Sequence, residues 1–519
     1  MSDIPAADSF AKRFAYKLGA NFAGTLLSFF QAGIVSRALG PGTYGDYNFL
    51  TNAFNQFIAF LEMRSSTFLY TSVSSRRENR HIVGVYARLA IAISAIAVFF
   101  PIIVRTLGLQ TLIWPGQNGT VIVVVAIVCL TLWYADLLAK LCDALGLTVS
   151  LEITRAANRV LFFSAIALLM RWGLINIRSY LAAQFAANTI LIVLLALTLR
   201  KTAAFRKADL HPDRSETRQT LSEIFAYSHP IFVYSLMELL SNYADRWLLQ
   251  KFGGSIQQGW FSLALNIGLA FNVLINALHP LIMREFSVAF AGNDIDGARS
   301  IFRRLIPASY TLSAIVLCYA AMNAEGCIRI VGGTAYEGAT GVFAVMAFLP
   351  IIHNYSMLSG SALYAAGRTR LIRNIGLVTT PINIAATYFL IAPRQYGGLD
   401  LGAAGLAAKI VAAEFIGNNI VLFFNARMLG LRFRTYFFHQ IYVVALLAAA
   451  AFGCKQAALY ALPDSWLLVM AGGGILYAAF CALVFYYTPW LFGIDRDEIL
   501  AFLKNAIARS RTLLAEPPL

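Results

Sequence analysis

Two seventeen-residue stretches, which start 214 positions apart, decide the fold of this chain. Residues 34–50 read IVSRALGPGTYGDYNFL and residues 248–264 read LLQKFGGSIQQGWFSLA. In each stretch an apolar helix end carries one cation, a short turn of glycine and small polar residues follows, and an aromatic residue stands two positions after a later glycine. The shared order predicts an internal repeat in which each copy contains a helical hairpin.

The register of the repeat comes from its glycines. Gly40 matches Gly253 at an offset of 213, and Gly45 matches Gly259 at an offset of 214. A weaker echo, with an offset of 221, joins DALGLT at 143–148 to YAAGRT at 364–369. Six predicted helices separate the copies, an even number, so both copies face the same way across a membrane. The alternative is a pair of unrelated hairpins in which glycine is simply common.

The composition around these stretches is that of a polytopic membrane protein. The 519 residues are 59% hydrophobic and 13% charged, with a mean hydropathy of +0.66, whereas soluble domains contain about 25% charged residues. Apolar runs long enough to cross ~30 Å of hydrocarbon follow one another along the chain. We predict fourteen spans, at 17–38, 46–71, 83–104, 120–145, 153–170, 179–199, 225–250, 260–283, 305–328, 339–366, 374–392, 402–426, 437–454 and 466–488.

The basic residues indicate how these spans are oriented. The net charge of +15 would suggest a nucleic-acid partner for a soluble chain, but here 26 Lys and Arg residues fall on one set of connections and about eight on the opposite set. The positive-inside rule therefore predicts that both termini are cytoplasmic, and no nucleic-acid partner is expected. The first 15 residues are polar and show no cleavable signal peptide, so the first span is expected to target and anchor the chain.

Several chemistries have no motif in the sequence. No lysine follows a glycine, so a Walker A loop for ATP phosphates is absent, and neither HExxH nor GxSxG occurs. The six cysteines lie in or near spans without a CxxC pair and are interpreted as packing residues. We therefore expect a secondary transporter or flippase, with no enzymatic activity, no cofactor and no metal.

Four pieces of the sequence resemble the polysaccharide flippases of the Wzx type, in the polysaccharide transporter branch of the MOP superfamily. They follow the family's order between about residues 14 and 431. The pieces are RALGPGTYG at 37–45; DRWLLQKFGG at 245–254 with GWFSLA at 259–264; AAGRTR at 365–370 with PINIA at 381–385; and YGGLDLGAAGLA at 396–407.

The resemblance implies an all-α membrane protein with two six-helix lobes around a central cavity and two C-terminal helices. The expected division is an N-terminal lobe with a cytoplasmic linker at 1–218, a C-terminal lobe at 219–434, two additional helices at 435–488, and a cytoplasmic tail at 489–519 that suits an amphipathic helix. Family members move undecaprenyl-pyrophosphate-linked oligosaccharides from the cytoplasmic to the periplasmic leaflet by alternating access. This implies a role in O-antigen, exopolysaccharide or capsule synthesis in the bacterial inner membrane. The expected state is a monomer, and polysaccharide polymerase and chain-length proteins are candidate partners.

Charged residues inside predicted spans are costly in hydrocarbon and usually face a cavity or one another. Arginine suits phosphate because its planar fork is bidentate and stays charged. Asp136, Lys140 and Asp143 share a helical face, so the alternative for the cations is ion pairing that locks helices together, including Arg155 with Glu152. The predicted phosphate-binding residues are Arg64, Lys140, Arg155 and Arg159, and Arg246 and Lys409 complete the predicted substrate-binding set.

Carboxylates in the spans are candidates for binding a coupling proton or sodium ion. Glu238 is preferred because it is mid-span and shares a face with Asp245, seven residues later. Continuous helical geometry would place Glu62 and Arg64 about 200° apart, so they would not both point into one cavity. The alternative for Glu238 is a carboxylate held by a neighbouring helix. The ion-coupling candidates are Glu62, Asp136, Glu238, Asp245 and Glu414.

Two other functions use the same architecture. A lipid II flippase of the same superfamily also has fourteen helices, but its basic opening motif is not evident here. A MATE-like multidrug or cation antiporter usually has twelve helices and a less cationic cavity, which the pair at 437–488 and the arginines disfavour. A membrane-embedded glycosyltransferase or polymerase would normally carry catalytic acids in a large loop, and the connection at 105–119 contains no carboxylate.

Overall fold

Helices make up nearly all of the structure, which is a computed structural model. It describes residues 10–75, 81–201, 213–463 and 465–492. Within these ranges the side chains of the following residues are not described: 10–18, 20, 21, 75, 201, 230, 231, 233, 234, 273–278 and 369. The first helices are α1 (Phe10–Glu62), α2 (Ser65–Ser75), α3 (His81–Thr106), α4 (Gln110–Ile113), α5 (Gly119–Ala144), α6 (Thr148–Arg171), α7 (Ile177–Lys201), α8 (Arg214–Ala270) and α9 (Val273–Ala291). They continue with α10 (Ile295–Met322), α11 (Ala324–Val331), α12 (Thr340–Met346), α13 (Leu349–Ala365), α14 (Thr369–Ile391), α15 (Gly402–Leu429), α16 (Phe433–Ala461) and α17 (Trp466–Tyr487).

The helices confirm the predicted fold class. Within the described residues, 11 helical segments are long and apolar enough to cross a membrane. The segment in α1 is bent and covers two of the predicted spans. α8 and α9 contain two further predicted spans, which are not among the 11 segments. Each of the fourteen predicted spans therefore falls on helix. The predicted amphipathic tail helix, after Thr488, lies outside the described residues beyond Phe492.

The two quoted stretches form the same local structure, which confirms the repeat and corrects its register. α1 breaks at Gly40, with φ 70° and ψ 167°, and α8 breaks at Gly254, with φ 73° and ψ −176°. Only glycine adopts such angles without strain. Gly40 is therefore equivalent to Gly254, not to Gly253 as the sequence pairing had it, and one offset of 214 now relates both glycine pairs.

The weaker sequence match, between residues 143–148 and 364–369, also has a matching backbone conformation. Gly146 and Gly367 both have positive φ, 82° and 70°, just after the ends of α5 and α13. The three hydrogen bonds that close these helix ends match one for one at the offset of 221, for example Leu147 N to Cys142 O and Arg368 N to Leu363 O. Both sites use the same glycine C-cap, in which a left-handed residue satisfies the last helical carbonyls.

The second predicted span is not one continuous helix, and this overturns the expected geometry of Glu62 and Arg64. Met63 and Arg64 have φ of 51° and 60°, so the chain unwinds between α1 and α2. Positive φ is strained for residues other than glycine and is held only by the surrounding structure. Helical periodicity cannot be carried across the break, so the 200° separation no longer applies.

Contacts divide the chain into two compact units. The first contains Met1–Ala270, Ile330–Ala339 and Gly376–Leu406, and the second contains Phe271–Arg329, Thr340–Ile375 and Ala407–Leu519. In the second unit, α16 and α17 pack into the core of α9, α10, α13 and α15, where Tyr310 and Tyr355 are buried edge to face. The lobe boundaries at 218 and 434 stay a prediction.

The membrane topology can be read with reporter fusions. We expect fusions at Gly116, Gly254 and Gly398 to report a periplasmic position, because each lies on a connection poor in basic residues. Fusions at Lys207 and Arg434, on basic connections, should report the cytoplasm. Alkaline phosphatase and green fluorescent protein activities give the two readouts. A single fusion on the opposite side would contradict the orientation of the repeat.

Candidate functional site

Charged side chains of α5 and α6 meet around Asp136. One carboxylate oxygen, Oδ2, lies 3.0 Å from Lys140 Nζ, and Oδ1 lies 3.6 Å from Arg155 Nη2. Arg155 Nη1 is also 3.8 Å from Oε1 of Glu152. The predicted phosphate residues Lys140 and Arg155 are thus brought together, and both ion-pairing alternatives from the sequence are realised with Asp136 and Glu152. The side chains of Lys140 and Asp136 stay 37% and 50% exposed, so the group is open on one side.

Residues next to the break in the second span contact the same charged side chains of α5. Lys140 Nζ donates a hydrogen bond of 2.9 Å to Ser66 Oγ in the first turn of α2. Glu62 caps this helix, because its Oε1 accepts from Ser66 N at 3.1 Å while its Oε2 accepts from Trp133 Nε1 at 3.2 Å. Arg64 is exposed at the break itself. We call these residues, Glu62, Arg64, Ser66, Asp136, Lys140, Asp143, Glu152, Arg155 and Arg159, the charged cluster.

Arg159 reaches α1 because Gly24 has no side chain. A Cβ added at Gly24 would lie 1.7 Å from Arg159 Nη1, so the guanidinium lies against bare backbone. Arg159 is one turn beyond Arg155 and interacts electrostatically with both Arg155 and Glu152. All four predicted phosphate candidates therefore lie in this part of the first unit.

The other candidate residues lie elsewhere. Asp245 is buried and accepts a 2.6 Å hydrogen bond from Thr387 Oγ1. Arg246 donates to Ser262 Oγ at 2.8 Å and stacks over the ring of Phe261, with 4.5 Å to its centroid. Asp245 thus joins α8 to α14 through Thr387, whereas Arg246 joins the two arms of α8 across its break at Gly254, because Ser262 and Phe261 lie beyond that break.

In the second unit, Glu414 has a clear partner. His353 Nδ1 lies 3.2 Å from Glu414 Oε1, and the side chain of His353 is 47% exposed. Lys409 is buried. Glu238, in the first unit, is exposed.

The two repeat hairpins are closed on each other, at the ends predicted to be periplasmic. A Cβ on Gly45 would lie 1.9 Å from Ser255 O, and a Cβ on Gly259 would lie 2.0 Å from Pro41 O. Each repeat glycine therefore makes room for the backbone of the other hairpin. This reciprocal packing is what a pseudo-twofold pair of hairpins requires.

The carboxylate of Asp46, which the sequence analysis does not single out, stabilises the contact between the two hairpins. Asp46 Oδ1 accepts hydrogen bonds from Gln117 Nε2 at 2.6 Å, Gln250 Nε2 at 3.2 Å and Ser255 Oγ at 2.5 Å. Arg37 adds hydrogen bonds to the carbonyl groups of residues 330 and 331. The available signal was the position of Asp46 directly after the repeat glycine, in the stretch that defines the fold.

The described residues also line two apolar cavities, one in each unit. One, of about 350 Å³, lies in the first unit beside α4, and another, of about 530 Å³, lies in the second unit between α10, α13, α15 and α16. The first is largely aromatic, with Phe54, Phe57, Phe60, Phe100 and Trp114 among its walls. Such surfaces suit hydrocarbon rather than charged groups.

The described part of the chain shows no group of three or more His, Cys, Asp or Glu residues placed to hold a metal ion. All six cysteines are free thiols, and four of them are buried.

Comparison with known proteins identifies the family and the fold. A family model described as "Polysaccharide biosynthesis protein" matches residues 10–280, more than half of the chain. No curated protein matches the sequence.

Solved structures share the fold at low sequence identity. The lipid II flippase MurJ in an inward closed conformation superposes with a TM-score of 0.65 at 10% identity, over 91% of this chain and 98% of that one. An inward-facing multidrug resistance MATE family transporter of the MOP superfamily gives 0.62 at 12% identity, over 78% and 94%. A MOP superfamily transporter from Pyrococcus furiosus gives 0.54 at 11%, over 82% and 97%. The chain therefore belongs to the polysaccharide biosynthesis protein family and has the fold of the MOP superfamily transporters.

Proposed function

We propose that the chain is a flippase that moves an undecaprenyl-pyrophosphate-linked oligosaccharide from the cytoplasmic to the periplasmic leaflet of the bacterial inner membrane by alternating access. The observation that carries this proposal is the charged cluster, in which Lys140 and Arg155 share Asp136, Arg159 follows Arg155 on α6, and Lys140 contacts α2 next to the unwound segment where Arg64 is exposed. Both termini would be cytoplasmic, and the product would enter O-antigen, exopolysaccharide or capsule synthesis.

The cluster suits a pyrophosphate group. Arginine forks bind phosphate oxygens bidentately, and the lysine adds a point charge. The first turn of α2 lies beside Lys140, and the amino end of a helix favours anions. An unwound span whose half-helix begins at a polar site is how several transporters bind charged groups within the membrane.

The lipid part of such a substrate needs apolar surface. The two cavities provide it, since their described walls are almost entirely aromatic and aliphatic. Burial of hydrocarbon contributes about 25 cal/mol per Å², so a long prenyl chain would add affinity that is independent of the sugar. The glycan would be bound by polar groups, and the cluster's charges would serve only the phosphates.

The test is a double variant, Lys140→Ala with Arg159→Ala. We expect surface polysaccharide to fall strongly while membrane insertion is unchanged, because each lost charge-assisted hydrogen bond is worth about 1.5–3 kcal/mol. Surface polysaccharide is measured by gel and lectin staining, and insertion by immunoblot of membranes.

The matched control for this experiment removes two other arginines. Arg171→Ala with Arg178→Ala takes two exposed cations from the far ends of α6 and α7, away from the cluster. This control should behave like the wild type. Normal polysaccharide in the Lys140/Arg159 double variant would return both residues to a purely structural role.

Two other substrates remain as alternatives within the same fold. The superposition on a lipid II flippase extends over 91% of the chain against 78% for the MATE transporter, which favours a flippase with additional helices over a drug or cation antiporter. Reconstituted protein offered lipid II and an undecaprenyl-pyrophosphate oligosaccharide side by side separates the two flippase functions.

Energy for the movement can come from the membrane potential or from an ion gradient. A potential that is negative inside favours outward movement of a substrate anion by about 2.3 kcal/mol per charge per 100 mV. Glu238 stays the preferred carboxylate for a coupling ion, since it is exposed on α8. Glu62, Asp136, Asp245 and Glu414 are each hydrogen-bonded or ion-paired, and binding a cation there would break those contacts.

A further inference from the structure

A row of four phenylalanine rings joins α15 to α16 in the second unit. The ring centroid of Phe433 lies 5.9 Å from that of Phe423 and 5.6 Å from that of Phe437, and Phe437 lies 6.1 Å from Phe415. The row starts beside the turn between the two helices and moves away from it along both of them. Phe423 is 49% exposed and the other three rings are only partly buried, so the row forms the floor of a groove, which we call the α15–α16 groove.

The α15–α16 groove leads into the apolar cavity of the second unit. Phe415 belongs both to the row and to the cavity wall, and Ile441 and Val444 of that wall follow Phe437 at helical spacings of four and seven. From Phe433 to Val444 the helix rises about 16 Å. This is about half of the ~30 Å hydrocarbon core, so the groove suits an apolar chain that spans one leaflet.

Exposed arginines lie at the end of the groove where the two helices meet. Arg427 is one turn beyond Phe423 on α15, and Arg432 and Arg434 stand at the start of α16. The sequence contains no Asp or Glu between residues 415 and 463. Neither helix therefore supplies a carboxylate at this end, and the turn between them presents a cationic surface beside the apolar groove.

Helix α10 fixes this turn and adds further positive charge. Arg299 Nε donates to Leu429 O at 2.7 Å, and the same guanidinium pairs with Asp296. Arg303, which is exposed, interacts with the hydroxyl group of Tyr436 in the first turn of α16. The backbone that carries the three arginines of the groove is therefore held against α10.

We infer that the α15–α16 groove binds an anionic phospholipid. The phosphate would lie on Arg427, Arg432 and Arg434, and one acyl chain would follow the phenylalanine row into the cavity of the second unit. Arginine forks suit phosphate oxygens, and basic residues at the membrane surface attract anionic lipids. The chain gains affinity because it leaves the groove's exposed rings covered by hydrocarbon.

The length of the groove favours an acyl chain over a prenyl chain. An undecaprenyl chain is much longer than the distance from the arginines to the cavity, whereas an acyl chain of one leaflet matches it. The cavity of the first unit, which contains the charged cluster, then remains for the prenyl chain of the proposed substrate. The inference uses none of the residues of that cluster.

The experiment is photo-cross-linking of the full chain in phosphatidylcholine nanodiscs. The probe is phosphatidylglycerol with a diazirine at the end of one acyl chain, and the reference probe is phosphatidylcholine with the same chain. Peptide mass spectrometry locates the label after illumination. We expect phosphatidylglycerol to label residues 441–445, at the cavity wall, more than fivefold above phosphatidylcholine, because each arginine near the membrane surface contributes about a fivefold preference for an anionic lipid.

A double variant tests the headgroup site. Arg432→Ala with Arg434→Ala should lower labelling of residues 441–445 by phosphatidylglycerol about fivefold for each arginine removed, and labelling by phosphatidylcholine should not change. The matched control, Arg368→Ala with Arg370→Ala, removes two exposed arginines at the junction of α13 and α14 and should behave like the wild type.

Three results would overturn the inference. Equal labelling of residues 441–445 by both probes in the wild type would show that no headgroup is recognised, as would be found if another part of the chain or a second copy filled the groove. Full labelling by phosphatidylglycerol in the Arg432/Arg434 variant would exclude these arginines. Displacement of the probe by less undecaprenyl phosphate than unlabelled phosphatidylglycerol would assign the groove to a prenyl lipid. The first and third results come from the wild type and do not depend on the folding of a variant.

Discussion

A disulfide between Gly42→Cys and Ile256→Cys is expected to stop transport, and reduction should restore it. A Cβ added at Gly42 lies 4.0 Å from Cγ1 of Ile256, so side chains at these two positions meet between the hairpins. The bond would join the two repeat hairpins where Asp46 and the repeat glycines already close them. Because the proposed alternating access requires these ends to part, a covalent link should hold the chain closed on that side.

The measurement is substrate flipping in proteoliposomes, with the extent of cross-linking followed by gel mobility. Transport should fall in proportion to the cross-linked fraction and return with dithiothreitol. Each single-cysteine variant controls for the substitutions, and the parent chain controls for its six natural thiols, which are all free. Full transport by fully cross-linked protein would show that these hairpins do not separate during the cycle.

Gly45→Val is expected to open the same contact. A Cβ at this position would lie 1.9 Å from Ser255 O and 2.7 Å from Gly259 N, and backbone atoms cannot move aside as a flexible side chain can. Overpacking of this kind costs about 1–3 kcal/mol, which corresponds to about a 5- to 150-fold shift away from the closed arrangement. The yield of the disulfide between the cysteines at positions 42 and 256 should drop accordingly.

The repeat supplies an independent second variant. Gly259→Val should have the same effect as Gly45→Val, since its Cβ would lie 2.0 Å from Pro41 O. Gly417→Val is the matched control, because no atom lies within 4 Å of a Cβ there and the helix continues through it. Undiminished cross-linking in both repeat variants would mean that the hairpins accommodate the added side chains without opening, and that the hydrogen bonds of Asp46 are enough to hold them closed.

The hairpin stretches illustrate how far sequence alone reaches. Their glycines predicted the repeat and the helical break, because only glycine takes the left-handed angles found at Gly40 and Gly254. The one-residue error in register arose because two glycines stand together at 253–254, and composition cannot tell which one bends.

The charged cluster shows which contacts could not be predicted from the sequence. Charges within apolar spans identified Lys140, Arg155 and Arg159, since such residues are too costly to face lipid. Which carboxylate pairs with which cation, and that Glu152 stays without a hydrogen bond, depend on the rotation and crossing of α5 and α6. Similarly, the sequence signal at Asp46 was its position after the repeat glycine, but its three donors come from residues up to 209 positions away.

The sequence by itself determined the membrane class, the repeat and the family, because hydrophobic length and glycine positions are properties of single segments. The orientation of the spans, which the basic residues predict, stays a prediction. Only the tertiary structure decided the unwinding at Met63 and Arg64, the closure of the hairpins and the partners of each buried charge. These features depend on how close two backbones approach and on which side chains meet there, and residues distant in the chain set both.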